Sequence, residues 1–385
     1  MSTSAWGRLL PRLVARGTLD GDAALAGHVT VEPRDRSHDV AVIRQDDRAV
    51  CVAKQHRRTP DPGDPAGTEV TIYRWLSRLS TGAEVAGSDA SAGTVVLTTG
   101  DAELPGVHAG PLAPALIDVV DGVLLLEPRT GDLPLHLALA GARWPPAELL
   151  AMLGHLLARL HTTPAADLAP PRTDHLGAGG VVLPGAGLPC DPPWVVAVAD
   201  AALPPSLDGD PLLRQLTEEV AGDPELAGCL RALGSAWDDT AAAVVVHGDV
   251  KFDNVLVEDT VGPSMERPGP RLRLLDWELA TWGPAAWDLA GIIDGLLVPA
   301  LQVLPAGQAL DEQVHAAPAF AAYQAVPGAP AIDPGTLRDA TVARLVQSAL
   351  QLLAMRHQEP ARETAVKPVL EGARALASRP QLVAV

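Results

Sequence analysis

Along the first third of the chain the apolar positions alternate with polar ones, and further on they recur at three- and four-residue spacing. Residues 29–31 form a short strand-like stretch, followed by the polar segment 32–39. Two β-branched runs, 40–44 and 49–54, flank the polar residues Gln45, Asp46, Asp47 and Arg48, a pattern that predicts a β-hairpin. A Pro/Gly/Asp-rich loop over 60–67 precedes Thr68, which can cap a helix carrying Glu69, Val70, Ile72, Tyr73, Trp75, Leu76 and Leu79 at helical spacing. Residues 95–97 and 119–126 read as further strands, and 5–16 as a short helix packed on this β-rich part. From about residue 127 the character changes. Residues 149–160 predict a strongly apolar helix ending in His161, and 163–215 hold Pro-, Gly- and Ala-rich loops with short helices, including the run Gly177-Ala178-Gly179-Gly180. Residues 244–246, 255–257 and 272–275 read as short strands, the last two around a Gly/Pro-rich loop. The remainder, including 289–304 and 337–355, is helical. The pattern therefore predicts a small, mostly antiparallel β-rich part over 1–126, a hinge near 126–131, and a larger, mainly helical part over 127–385.

Composition narrows the class. The 385 residues are 47% apolar, which excludes a disordered chain, but only 3% are aromatic, and the eight Trp outnumber Phe and Tyr together. The core is expected to be aliphatic, with tryptophan as its few large members. A formal net charge of -18 argues against a general nucleic-acid binder, which needs Lys and Arg on phosphates, and is compatible with a cationic acceptor. Cys51, Cys190 and Cys229 share no short motif, so neither a disulfide framework nor a zinc site is expected, and a reducing cytoplasm is the simpler setting. Pro11, Arg12 and Arg16 interrupt any apolar run at the N-terminus, and Asp294 and Pro299 break the 289–304 stretch, so neither a secretory signal nor a membrane span is expected.

The chemistry concentrates in His247-Gly248-Asp249-Val250-Lys251-Phe252-Asp253-Asn254 and in Asp276. Phosphoryl transfer from ATP needs oxygens that hold Mg²⁺ against the phosphates, a cation on those phosphates, and a carboxylate at the acceptor hydroxyl. Mg²⁺ prefers hard oxygen ligands, which an Asp carboxylate and an Asn carbonyl supply. Asp249 and Asn254 lie in one short loop after an apolar strand. Asp276 follows the next apolar hairpin, whose second strand runs back beside the first and returns this carboxylate to Asn254.

His-Gly-Asp with Asn five residues beyond the Asp, followed by Asp276-Trp277-Glu278 and by Gly283-Pro284-Ala285-Ala286-Trp287-Asp288-Leu289-Ala290, resembles the aminoglycoside phosphotransferase and choline-kinase-like family. The stretch from Leu156 to His161 is similar to that family's first large-lobe helix. The resemblance implies an α+β, two-lobed protein-kinase-like fold with ATP and Mg²⁺ as cofactors. It also assigns Asp249 as catalytic base or hydroxyl-orienting group, and Asn254 and Asp276 as Mg²⁺ ligands. Lys54 matches the lysine on the α- and β-phosphates and Glu69 the helix glutamate paired with it; backbone groups around Leu126 and Glu127 match those that meet adenine. Lys251 resembles the lysine that serine/threonine kinases carry two residues after their aspartate, and so is expected on the transferring phosphate. Asp288 is expected to brace the loop. The phosphate-covering turn near Arg34 to Asp39 departs from the protein-kinase pattern in holding no glycine, and Arg34, Arg36 or Ser37 is expected to take over its contacts.

Taken singly, Lys54 or Glu69 reads as a solvated end residue; in the order lysine, glutamate, hinge, His-Gly-Asp, Asn, Asp the set is specific. His247 reads as a bracing residue, and Trp277, Trp282 and Trp287 as core or pocket wall. The expected function is a kinase acting on a hydroxyl of an amino-bearing small molecule, with a Ser/Thr-phosphorylating peptide kinase and a silent pseudokinase scaffold as alternatives. A dinuclear phosphoesterase is excluded, since no upstream Asp-any-His or Gly-Asn-His exists to hold two metals.

Overall fold

The computed structural model describes residues 4–35, 39–56, 64–81, 111–129, 131–168, 187–239, 242–259, 270–357 and 361–379. The expected strand at 95–97, the run 177–180, and Arg36 and Ser37 lie outside the described residues. The chain forms two compact units that alternate along the sequence. One comprises Met1–Arg57, Ile72–Asp132 and Val257–Arg273; the other comprises Arg58–Thr71, Leu133–Leu256 and Leu274–Val385.

The first unit is built on an antiparallel sheet of β1 (Val29–Asp35), β2 (Asp39–Gln45), β3 (Arg48–Gln55), β4 (Leu116–Val120) and β5 (Val123–Leu126), in the order β1-β2-β3-β5-β4. The β2–β3 turn consists of Asp46 and Asp47, both with positive φ (50° and 63°). Two-residue hairpins favour such left-handed turns because their twist matches that of the strands, and Asp tolerates the conformation. The same device corrects one expectation: 119–126 is two strands, not one. Asp121 and Gly122 also take positive φ (53° and 78°) and fold β4 back on β5, with Val120 opposite Val123.

α1 (Ser4–Ala15) sends Leu9 and Leu13 into a core with Leu19, Ile43, Cys51, Ala53, Val120, Val123 and Leu125. Its Arg12 and Arg16 pair with Asp121 and Asp118 at the β4–β5 hairpin. Burial pushes the Cys51 thiol up to about 11, so it stays protonated among these apolar neighbours. α2 (Gly21–Leu25) is capped by the Asp20 carboxylate, which accepts from Ala23 N–H at 2.8 Å. α3 (Pro65–Thr81) starts earlier than Thr68. Asp64 is the cap, accepting from Gly67 N–H at 2.9 Å, and Pro65 fills the first helical position, where its missing N–H costs nothing.

The second unit is mainly helical. Its elements are β6 (Leu133–Pro134), α4 (Leu135–Ala140), α5 (Pro146–Thr162), α6 (Pro211–Gly222), α7 (Pro224–Trp237), β7 (Val244–Val246), β10 (Thr281–Gly283), α8 (Ala286–Leu301), α9 (Ala306–Ala309), α10 (Ala317–Gln324), α11 (Pro334–Ala354) and α12 (Ala361–Ala377); most of β8 (Val255–Asp259) and β9 (Pro270–Leu274) falls in the Val257–Arg273 segment of the first unit. The Asp-Pro start recurs at Asp210-Pro211, Asp223-Pro224 and Asp333-Pro334, each Asp side chain accepting from N–H groups of the first turn. A proline-rich chain thus spends several of its prolines where a helix tolerates them. α11 is the central helix, packed against α7, α8 and α12. No described helix is long and apolar enough to cross a membrane.

Gly154 of α5 meets α10 so closely that a Cβ there would lie 1.9 Å from the Ala319 carbonyl oxygen. A backbone atom cannot yield as a side-chain tip can. Gly154→Ala is therefore expected to destabilise the protein by about 2 kcal/mol or more despite its gain in helix propensity. A thermal melt within a degree of the wild type would show that α10 can retreat.

Candidate functional site

β7 delivers the chain into His247-Gly248-Asp249, and β10 pairs with it antiparallel, Val246 opposite Thr281. Gly248 turns the chain with φ +83°, and a Cβ on it would sit 2.0 Å from the Leu279 carbonyl oxygen. Both constraints admit only glycine. The N–H groups that this turn leaves unpaired in the ladder are taken by one side chain. Asp288, in the first turn of α8, accepts from His247 N–H at 2.7 Å through Oδ2 and from Gly248 N–H at 3.0 Å through Oδ1.

Asp288 is fully buried. Burial alone would raise its pKa, but the hydrogen bond from His161, together with that from the His247 N–H, holds it below the usual carboxylate value. His161 Nε2 lies 3.1 Å from Asp288 Oδ2, and Nδ1 lies 2.9 Å from the Tyr323 hydroxyl. With the proton on Nε2, His161 donates to the carboxylate and accepts from tyrosine, so every polar atom of the triad is used. Burial pushes the tyrosine pKa up, which keeps that hydroxyl a donor.

His247 braces a second direction. Its Nε2–H donates to the Leu275 carbonyl at 2.7 Å, and Nδ1 accepts from Asp249 N–H at 3.2 Å. Burial lowers its pKa, although the carboxylates of Asp288 and Asp249 pull the other way, and the neutral ring is the form that fits these two partners. Leu275 N–H in turn donates to the Asn254 carbonyl at 2.8 Å. These two bonds tie the end of β9, and with it Asp276, to the loop. Asp276 itself takes a left-handed conformation (φ 59°, ψ 63°).

Asp249, Lys251 and Asn254 come together as expected. Lys251 Nζ is 3.0 Å from the Asp249 carboxylate, and Asn254 Nδ2 donates to both Asp249 Oδ2 and its carbonyl oxygen at 3.1 Å. With its amide nitrogen committed to Asp249, Asn254 turns Oδ1 away from that residue. The other expected residues are placed by their own elements. Lys54 is buried on β3, between Val40 and Leu124 in the sheet register, and Glu69 is buried on α3. Leu126 ends β5. Glu127 N–H is already donated to the Ala115 carbonyl at 2.8 Å, and its carboxylate binds Arg129, which also pairs with Glu258. Ser37 lies outside the described residues.

Pattern reading missed Arg344 of α11. Its Nη2 donates to the Gly248 carbonyl at 3.0 Å, its Nη1 is 3.4 Å from Asp249 Oδ1, and its guanidinium lies over the Trp287 ring at 3.8 Å. The signal was present as a lone charge inside the apolar run from Val342 to Val346. It also missed the His161–Tyr323 support, whose partners lie on different helices.

Residues 140–296 match the model of the phosphotransferase enzyme family. The matched segment is less than half of the chain. It contains His161, Asp249, Lys251, Asn254, Asp276 and Asp288, while Lys54, Glu69 and Arg344 fall outside it. By fold the chain is α+β and protein-kinase-like. The structure resembles an ethanolamine kinase of Plasmodium vivax at 10% identity and TM-score 0.51, covering 94% of this chain and 86% of the other. Other similar structures are a choline kinase of Streptococcus pneumoniae (11% identity, 94% and 99% coverage, TM-score 0.47) and an aminoglycoside phosphotransferase of Streptomyces rimosus (17%, 95% and 98%, 0.44). A search of curated proteins found no match.

Two outcomes follow from this geometry. Gly248→Ala is expected to abolish phosphotransfer by displacing the loop from Leu279, which a pulse-chase of labelled ATP would detect; an active variant would show that the turn can re-form. The second concerns Asp294 of α8, which accepts from Ser348 Oγ at 3.0 Å and is pushed up to about 6 by burial, against the opposing charge of Arg344. Its folded pKa lies above an unfolded value of about 3.9, so the folded state binds more protons between these values and loses stability as pH rises. Asp294→Asn should therefore gain stability over the wild type progressively from about pH 4 to 6, by roughly 3 kcal/mol at the plateau. Denaturant titrations at each pH test this, and a gain that is flat with pH would contradict it.

Proposed function

We propose that the protein transfers the γ-phosphoryl group of ATP, with Mg²⁺, to a hydroxyl of an amino-bearing small molecule. The observation that carries this reading is the setting of Asp249. Its carboxylate is fixed by Asn254 and Lys251 within one loop whose backbone is anchored by a buried aspartate. Asn254 Oδ1 and the Asp276 carboxylate are hard oxygen donors on segments tied by the Leu275–Asn254 hydrogen bond, and this donor set fits Mg²⁺. Bound there, the ion would neutralise charge on the phosphates and hold them for in-line attack.

In this reading Asp249 accepts a hydrogen bond from the acceptor hydroxyl and aims its oxygen at phosphorus. A loose transition state needs little deprotonation before bonding, so orientation matters more than basicity. Lys251, already beside Asp249, places a positive charge where the transferring phosphoryl passes. Lys54 holds the α- and β-phosphates with Glu69 as its charge partner, and backbone at Leu126 and Glu127 takes the adenine. The Glu127 N–H is donated to the Ala115 carbonyl, so it is not what meets the base. The formal charge of -18 favours a cationic acceptor over an anionic one. Lys251 against Asp249, as in serine/threonine kinases, supports a second reading in which the hydroxyl belongs to a Ser or Thr of a peptide.

Asp249→Ala is expected to reduce ADP formation at least about 1000-fold while Mg·ATP still raises the melting temperature, since the group acts on the acceptor hydroxyl and not on nucleotide binding. Mass spectrometry of amino alcohols, aminoglycosides and Ser/Thr peptides incubated with the wild type identifies the acceptor by the gain of one phosphate. Undiminished turnover in the variant would remove Asp249 from the chemistry. Transfer to peptides alone would select the second reading.

A further inference from the structure

Arg344 is a charged side chain in the middle of the central helix of the second unit, only 2% exposed. Placing a guanidinium there is expensive unless its partners repay the lost hydration. A need for a hydrogen-bond donor does not explain it. The Gly248 carbonyl, its shorter contact, already accepts from Trp287 Nε1–H at 2.8 Å. The loop is likewise already anchored from below by Asp288. Lys251 already sets one positive charge 3.0 Å from the Asp249 carboxylate. What Arg344 adds is a second, buried one on a different element, 3.4 Å from Asp249 Oδ1, the oxygen opposite the one that Asn254 binds.

The geometry also restricts which cation can serve. The guanidinium lies over Trp287 at 3.8 Å while one nitrogen reaches the Gly248 carbonyl and another reaches Asp249. Three constraints on one rigid plane fix its position. A lysine has a single nitrogen and no plane to stack, so it cannot satisfy them together. Asn254 restrains the Asp249 carboxylate from within its own loop; Arg344 restrains it from a helix 95 residues away in sequence.

We propose that Arg344 is a positioning residue that fixes the rotation of the Asp249 carboxylate, so that its oxygens stay aimed at the acceptor hydroxyl. The inference rests on the phosphotransferase reading and adds a residue from outside the matched family segment to the machinery of Asp249. A core-filling arginine would affect stability, whereas a positioning arginine affects turnover at constant nucleotide affinity.

The experiment uses the full chain with Mg·ATP, measuring ADP formation with water as acceptor or with any acceptor that the mass-spectrometric panel yields. Arg344→Lys is expected to lower kcat about 10- to 100-fold with the KM for ATP and the Mg·ATP-induced melting shift unchanged. Arg344→Ala should fall further and recover part of its activity in millimolar guanidinium chloride, but not in sodium chloride at the same concentration. The proposal is overturned if Arg344→Lys turns over at the wild-type rate, if KM and the melting shift degrade together with kcat, if guanidinium restores nothing, or if neither variant folds. Turnover that depends on Asp249 but not on Arg344 refutes this inference alone. Turnover that Asp249→Ala leaves unchanged, or none with any acceptor, refutes the phosphotransferase reading instead.

Discussion

Two neighbouring backbone N–H groups, on His247 and Gly248, point into the interior where the chain leaves β7, and the carboxylate of Asp288 binds both. A glycine turn of this sharpness cannot satisfy these donors by strand pairing, and a buried unpaired N–H costs about as much as a lost hydrogen bond. Asp288 solves the problem with one ionised group, itself kept ionised by His161 and, through His161, by Tyr323. Three helices, α5, α8 and α10, thereby meet at the base of the loop. Positions of Asp249, Lys251 and Asn254 follow from this anchor, because each hangs on the backbone it fixes.

The anchor is costly in isolation and inexpensive in context. Burial favours the protonated form of a carboxylate, and at Asp294, a few residues further along the same helix, the Ser348 hydroxyl and the charge of Arg344 do not offset it. Asp288 differs by having a histidine and two N–H donors, so its charge is matched by directed hydrogen bonds. Burial raises the pKa of both aspartates on this helix, and only at Asp288 do the partners outweigh it. Arg344 belongs to the same balance, since the charges of Asp249, Asp288 and Asp294 all favour its protonated form against the cost of burial.

Much of the architecture was legible from pattern. The β2–β3 hairpin, the helices α3, α5, α8 and α11, and the strand leading into His247 all show their periodicity in the chain. Where reading fell short, the local chemistry was present but outweighed by the apolar run around it. Asp121-Gly122 is a hairpin turn inside what otherwise reads as one strand, and Asp64-Pro65 starts α3 before the more obvious Thr68. The bracing roles of His247 and Asp288 were expected, and the hydrogen bonds of both bear this out.

By itself the sequence determined the strand and helix periods, the Asp-Pro helix starts, and the motif that groups Asp249, Lys251 and Asn254 within six residues. Such features are local, and local backbone geometry is enough to express them. Tertiary structure decided what surrounds that motif: Arg344 against Asp249, His161 between Asp288 and Tyr323, and Gly154 against α10. These contacts join residues 95, 127 and 162 positions apart, and more than that between Gly154 and Ala319. No periodicity records such a pairing. Within its own helix an arginine, a histidine or a glycine looks alike whether it faces water, core or a catalytic carboxylate, and only the packing of the second helix decides which.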